Sequence, residues 1–118
     1  MRIHEAAAAT GLTIDAIRYY EREHLLDERH ITRLSNGYRS FSPAAIERLQ
    51  HLKHARAQGY TVAELRHLTT SYDAGRLDAH ERRAFLTGKI ARIARQIASL
   101  EEMQSTFERD LALLRHAE

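Results

Sequence analysis

From residue 78 to residue 116 the chain has no proline and one glycine, Gly88, and its apolar residues recur at a spacing that constrains the fold more than any other feature. Leu86, Ile90, Ile93, Ile97, Leu100, Phe107, Leu111 and Leu114 follow one another in alternating steps of four and three, with polar Gln104 filling the one gap. This is a heptad seam, with Ile90, Ile97, Gln104 and Leu111 at position a and Leu86, Ile93, Leu100, Phe107 and Leu114 at position d. A helix over these 39 residues would rise about 58 Å. A small domain cannot cover that length, so the stripe needs a partner helix.

Charge along the segment suggests how the partner runs. Arg82, Arg83, Lys89, Arg92 and Arg95 form a stretch with no acid, whereas Glu101, Glu102, Glu108 and Asp110 face a single cation, Arg109. A parallel pair would set like against like. An antiparallel homodimer sets the basic half of one chain against the acidic half of the other, each exposed contact contributing about 1 kcal/mol or less. Gln104 at an a position helps to fix the register. The seam residues, Gln104 included, are therefore expected to form the dimer interface.

Residues 1 to 70 are punctuated differently. IHEAAAA, residues 3–9, is helix-forming and runs into Thr10-Gly11, where glycine can adopt the positive φ that ends a helix. Thr13 then suits an N-cap, with Leu12 and Ile17 placed as a hydrophobic staple for a helix over about 14–24. RHITRLSNGYRSFSP, residues 29–43, contains Asn36-Gly37, a two-residue hairpin signal flanked by strand formers. Ser42-Pro43 is a helix start, and the helix that follows, carrying Ile46, Leu49 and Leu52 on one side, stops at Gly59. Thr61 and Glu64 make a capping box, and Tyr60 and Leu65 a second staple, opening a fourth helix near residue 62.

The expected fold class is mainly α. A winged helix-turn-helix head covers residues 1–70, with the helix-turn-helix at about 3–24, a small β-hairpin wing at about 29–42 and two further helices over 43–70. Residues 71–77 form a linker, and 78–116 form the long C-terminal dimerisation helix of an antiparallel coiled coil.

On the second helix Ile14, Ile17, Tyr20 or Glu21, and His24 share one side, while Arg18, Tyr19 and Arg22 point elsewhere. Two arrangements are open. Both tyrosines can pack on the first helix with the arginines solvated, or Arg18, Tyr19 and Arg22 can line a surface that meets a nucleic-acid groove, where arginine grips phosphate or guanine and tyrosine packs on sugar. The net charge of +2 lies in the head, and sixteen of the eighteen cations are arginine.

The stretches TGLTIDAIRYYEREHLL and NGYRSFSPAAIERLQHLKHARAQGYTVAELRHL resemble the MerR family of bacterial transcription regulators over residues 1 to about 70, and the long helix agrees in position and length. The resemblance implies that Thr13, Ala16, Arg18, Tyr19 and Tyr20 face DNA, that Tyr38 and Arg39 act from the wing, and that Lys53 and Arg56 contact phosphate. With Arg22 from the helix pattern, these are the candidate DNA-binding residues. It further implies a homodimeric, sequence-specific regulator that bends and untwists promoter DNA at a palindromic operator, with RNA polymerase as a partner at the promoter. Such readout works through the energy of deforming the sequence.

Two features depart from the family pattern. The segment DERHITRLSN before Gly37 is longer than usual and lacks the proline run. His24 stands where the family has glycine, so that turn either lacks a left-handed residue or holds a histidine in that conformation.

Composition excludes several chemistries. There is no cysteine, so thiolate metal sites, redox sensing and disulfides are unavailable, whereas metal-sensing and thiol-reactive members of the family carry cysteines. His51 and His54 share a helix face without a third ligand, and His80 and His116 would approach only across an antiparallel dimer, so no metal or other cofactor is expected. No Ser/His/Asp arrangement, glycine-rich phosphate loop or paired-carboxylate cleft points to an enzyme. No apolar run reaches the roughly 20 residues needed to span a bilayer, and the N-terminus lacks a signal-peptide pattern, so a cytoplasmic location is expected. The competing function is a protein-interaction adaptor built on the coiled coil, with no regulatory role on DNA.

Overall fold

The computed structural model describes residues 1–117. The chain divides into two units, Met1–Gly75 and a second beginning at Arg76.

In the first unit, α1 (Ile3–Thr10) and α2 (Ile14–Arg22) form the helix-turn-helix, β1 (Ile31–Arg33) and β2 (Arg39–Phe41) form the wing, and α3 (Pro43–Ala57) and α4 (Val62–Asp73) complete the head. The local signals in the sequence account for most of these boundaries. Gly11 ends α1 at φ 74°, donating to the Ala7 carbonyl at 2.9 Å. Thr13 Oγ1 accepts the Ala16 N–H at 3.0 Å and starts α2. Ser42 Oγ accepts from Ala45 N–H at 3.2 Å ahead of Pro43, while its own hydroxyl donates to the Arg29 carbonyl at 2.9 Å. The capping box at α4 is complete, with Thr61 N–H on Glu64 Oε1 at 2.8 Å and Glu64 N–H on Thr61 Oγ1 at 3.1 Å. Helix α4 continues to Asp73, into residues expected to be linker.

Three details differ from expectation. Helix α2 ends at Arg22, short of residue 24, because His24 adopts φ 62°, the one non-glycine positive φ among the described residues. His24 N–H donates to Glu21 O and Leu25 N–H to Tyr20 O, both at 3.0 Å, which is the pair of bonds of a Schellman turn. The same pair closes α3, where Gly59 N–H reaches Arg56 O, Tyr60 N–H reaches Ala55 O and glycine holds the left-handed position at φ 93°. His24 thus lies exposed beyond the helix rather than on the Ile14–Ile17 side.

The wing turn is the second difference. The register is Ile31↔Phe41, Thr32↔Ser40 and Arg33↔Arg39. Gly37 N–H bonds Leu34 O at 2.9 Å, Leu34 N–H bonds Tyr38 O at 2.7 Å, and Gly37 has φ 85°. A two-residue Asn-Gly turn needs positive φ at both residues, and Asn36 does not have it. Asn36-Gly37 instead occupies the end of a β-turn beginning at Leu34, with Asn36 Oδ1 accepting the Tyr38 N–H at 3.1 Å.

The third is the role of Met1. Phe41 turns its backbone polar groups away from β1, and Met1 takes both: its amino group donates to Phe41 O at 3.0 Å and its carbonyl accepts Phe41 N–H at 2.6 Å. The first residue of the chain therefore pairs with the edge of β2 that faces away from β1.

Ala6, Ile17, Tyr20, Leu25, Leu26, Phe41, Ala45, Leu49, Leu52 and Leu65 form the buried core, with Leu12, Ile46 and Tyr60 packed against it. Leu12 and Tyr60 thus lie at the edge of the core that contains Ile17 and Leu65.

The second unit is α5 (Ala79–Ala117), 39 residues with none buried. Asp78 caps it, its Oδ1 accepting Glu81 N–H at 2.9 Å. Exposure of the seam is high for apolar side chains, from 47% at Leu86 to 70% at Phe107.

A non-glycine residue in the left-handed region costs on the order of 1 kcal/mol. His24→Gly is expected to stabilise the head by about 0.5–1 kcal/mol, read as a higher urea midpoint. A lower midpoint would show that the imidazole contributes more than the strain costs.

Candidate nucleic-acid interface

Helix α2 divides by face. Ile17 and Tyr20 are buried, whereas Arg18, Tyr19 and Arg22 are exposed, Tyr19 at 39%. The Arg22 guanidinium lies 5.9 Å from the centroid of the Tyr19 ring, within cation–π range. Tyr19 leans in turn on Tyr20, ring centroids 6.1 Å apart at 46°. The result is an outward ridge of two arginines and a tyrosine, anchored through Tyr20. Thr13 and half-buried Ala16 stand at the N-terminal end of the same helix.

Tyr20 corrects an expectation. The family resemblance places it facing DNA, but at 6% exposure it belongs to the core. It lies three residues after Ile17 on the same side of the helix, so its ring holds α2 to the head and supports Tyr19 from beneath.

The wing brings Tyr38, 57% exposed, and Arg39 beside this ridge. Arg39 pairs with Glu21 of α2 at 3.0 Å, tying the wing to the helix. One cleft is lined jointly by Arg18 of α2, by Gly37, Tyr38 and Arg39 of the wing, and by Arg2, Ile3 and His4. Among the described residues the Arg18 side chain makes no ion pair or hydrogen bond, leaving its charge available.

Lys53 and Arg56, expected at phosphates, direct a donor into the head. Lys53 Nζ donates to the Thr10 carbonyl at 2.9 Å, and Arg56 Nη1 to the Tyr60 carbonyl at 2.8 Å. Lys53 satisfies a carbonyl left open at the end of α1, and Arg56 one in the turn between α3 and α4. Lys53 also crowds Gly11, where a Cβ would come within 2.6 Å of Nζ. Both side chains remain exposed with further N–H groups.

Arg2 and His4 are the cleft residues that pattern did not reveal. They precede or open α1, and the pairing of Met1 with β2, together with the contact of α1 on β2, brings them to the wing. The Arg2 guanidinium sits 4.8 Å from the Tyr38 ring centroid.

The base of the wing is held by charge. Arg29 reaches Asp27 at 2.8 Å and Asp73 at 3.0 Å, and Arg48 reaches Asp73 at 2.7 Å and the Leu25 carbonyl at 3.2 Å. Arg66 pairs with Glu23 at the end of α2. Hydrogen bonding from Arg29 holds the Asp27 carboxyl down at about 2. Beside it His30 is 5% exposed, its Nδ1 accepting the Asp27 N–H at 3.0 Å. Nδ1 is also 3.1 Å from Asp27 Oδ1, a contact favourable only when Nδ1 carries a proton. Desolvation outweighs that attraction and lowers the His30 value, and the neutral ring accepting from the backbone is the consistent state.

Among the described residues no group of three His, Cys, Asp or Glu could hold a metal ion.

Comparison with known proteins places this geometry. The family model described as MerR HTH family regulatory protein matches residues 1–72, and a second, described as MerR, DNA binding, matches residues 46–109. The chain is 36% identical to the HTH-type transcriptional regulator CueR of Yersinia pestis over 88% of its own length and 73% of that protein's. Among solved structures, the transcription regulator PbrR691 from Ralstonia metallidurans CH34, in complex with lead(II), is 28% identical with a TM-score of 0.81, over 98% of this chain and 86% of that one. HiNmlR, a MerR family regulator lacking the sensor domain and bound to promoter DNA, shares the fold at a TM-score of 0.61 and 22% identity, over 98% and 90% of the two chains.

His30 generates a pH dependence. Its folded value lies below its ordinary 6.5, so unfolding takes up a proton, and its contribution to stability is complete above 6.5 and declines as pH falls below it. The Asp27 contribution is lost only at pH values below its ordinary 3.8, toward about 2, and does not enter this window. Urea midpoints measured from about pH 7.5 to about pH 5.5 should fall for the wild type and fall less for His30→Gln. Equal slopes would remove His30 from the account.

Proposed function

This chain belongs to the MerR family of helix-turn-helix regulatory proteins, and we propose that it works as a homodimer that binds a palindromic operator in promoter DNA and changes transcription by bending and untwisting it. The observation that carries this proposal is the single cleft into which α2 and the wing bring Arg18, Tyr38 and Arg39, beside the exposed ridge of Tyr19 and Arg22. A groove-facing helix flanked by a cationic wing is the arrangement that reads base edges with one element and grips backbone with the other.

Direct contacts are proposed for Thr13, Ala16, Arg18, Tyr19 and Arg22 on α2 and for Tyr38 and Arg39 on the wing. Lys53 and Arg56 contribute through the N–H groups not engaged with Thr10 and Tyr60. Dimerisation is proposed through Leu86, Ile90, Ile93, Ile97, Leu100, Gln104, Phe107, Leu111 and Leu114. Their exposure supports a partner helix, and the separation of basic from acidic halves supports an antiparallel one. Two linked heads suit a two-fold symmetric site. RNA polymerase is the proposed reader of the deformed promoter, and the cytoplasm the proposed location. Among the described residues no helix is long and apolar enough to cross a membrane. These 118 residues contain no cysteine, so their response does not run through thiolate coordination or thiol oxidation.

Operator fragments recovered by selection from genomic DNA supply the test. Arg18→Ala and Tyr19→Ala are each expected to weaken binding by about 10- to 100-fold while the dimer persists. Unchanged affinity in both would remove α2 as the reading element. Ile97→Asp is expected to give monomers in sedimentation, and an intact dimer would refute the seam.

A further inference from the structure

The cleft between α2 and the wing is completed by residues that belong to neither. Backbone bonds between Met1 and Phe41 fix the start of the chain against β2, so Arg2 and His4 emerge beside Tyr38 and opposite Arg18. Arg2 lies over the Tyr38 ring at 4.8 Å. A cation–π contact does not consume the guanidinium N–H groups, and among the described residues no acceptor takes them.

The charges around the cleft are unequal. Arg2, Arg18 and Arg39 contribute three cations and His4 a further donor. Against them stand Glu21, which pairs with Arg39 at 3.0 Å, and Glu5, whose Oε1 accepts the Arg2 backbone N–H at 3.0 Å. That backbone bond is the first cause holding the Glu5 carboxyl below its ordinary value, and it turns the acid toward the helix end. The charges of His4 and Arg2 also lower the Glu5 carboxyl, but among the described residues neither Arg2 nor Arg18 forms an ion pair.

Resting on the proposal that the head binds duplex DNA, we propose that Arg2 and His4 hold one backbone phosphate of each half-site in this cleft, the strand passing between α2 and the wing. The site suits a phosphate better than a base edge. Its donors come from separate elements and converge from several directions, as a tetrahedral anion with several acceptor oxygens requires, whereas a base edge offers a planar pair. The contact with the Tyr38 ring pre-orients Arg2, so its freedom is reduced before DNA arrives. The α1 N-terminal residues then act as clamps that set the angle of the wing on the duplex.

Binding of the full chain to a selected operator duplex, followed by fluorescence anisotropy across a salt series, tests this. Arg2→Gln should weaken binding roughly 10-fold and lower the slope of log K against log salt by about 1 to 2 for a dimer. Arg2→Lys should restore the slope. His4→Ala should weaken binding by a few-fold. Ethylation of one phosphate per half-site should impair the wild type but cost Arg2→Gln nothing further. A structural role for Arg2 in propping Tyr38 would lower affinity with slope and ethylation pattern unchanged, and that result overturns the proposal. If Arg18→Ala weakens binding while Arg2→Gln binds like wild type, the clamp alone fails. If neither variant has any effect, the DNA-binding face itself is misassigned.

Discussion

Phe41 is the residue on which the head turns. Its ring, 2% exposed, sits in the core formed by α1, α2 and α3, while its backbone belongs to the wing and its N–H and C=O are both bonded to Met1. One residue thereby ties a surface hairpin to the interior and the start of the chain to the hairpin. A two-stranded hairpin is marginal in water without such packing. The outward positions of Tyr38 and Arg39 follow from it, since they lie two or three residues back along a strand whose end cannot move.

The head has a small core, and its turns and caps carry a correspondingly large share of its definition. These local devices were the legible part of the sequence. Thr13, Ser42-Pro43 and the Thr61–Glu64 box act within a few residues, and a hydroxyl three positions before an amide has few other ways to satisfy it. The heptad stripe was legible for the same reason, its period being a property of one helix. What could not be read was set by contacts distant in the chain. Lys53 reaches back to the carbonyl of Thr10, Arg56 turns to Tyr60, and Met1 pairs across forty residues with Phe41. Tyr19 and Tyr20 are adjacent and identical in type, and only the direction of the core separates them.

His24 and Asn36-Gly37 show where a local rule and the surrounding fold disagree. The Asn-Gly pair favours a two-residue turn, but the wing register leaves a longer loop between Arg33 and Arg39 and makes Gly37 the left-handed residue. At His24 the need to reverse the chain after α2, so that Leu25 and Leu26 enter the core, overrides the preference of histidine for negative φ. The burial of two leucines, about 1.5–3 kcal/mol each, exceeds the strain of one turn.

The exposed stripe of α5 has a consequence for dosage. For the dimer proposed above, a lone chain leaves eight large apolar side chains of the seam in water, so the folded assembly exists only as far as mass action permits. Below the dimer dissociation constant, the amount of dimer rises with the square of the chain concentration. A cell holding few copies would therefore register a modest change in synthesis as a larger change in operator occupancy, and the threshold would be set by the strength of the seam as much as by the DNA-contacting face.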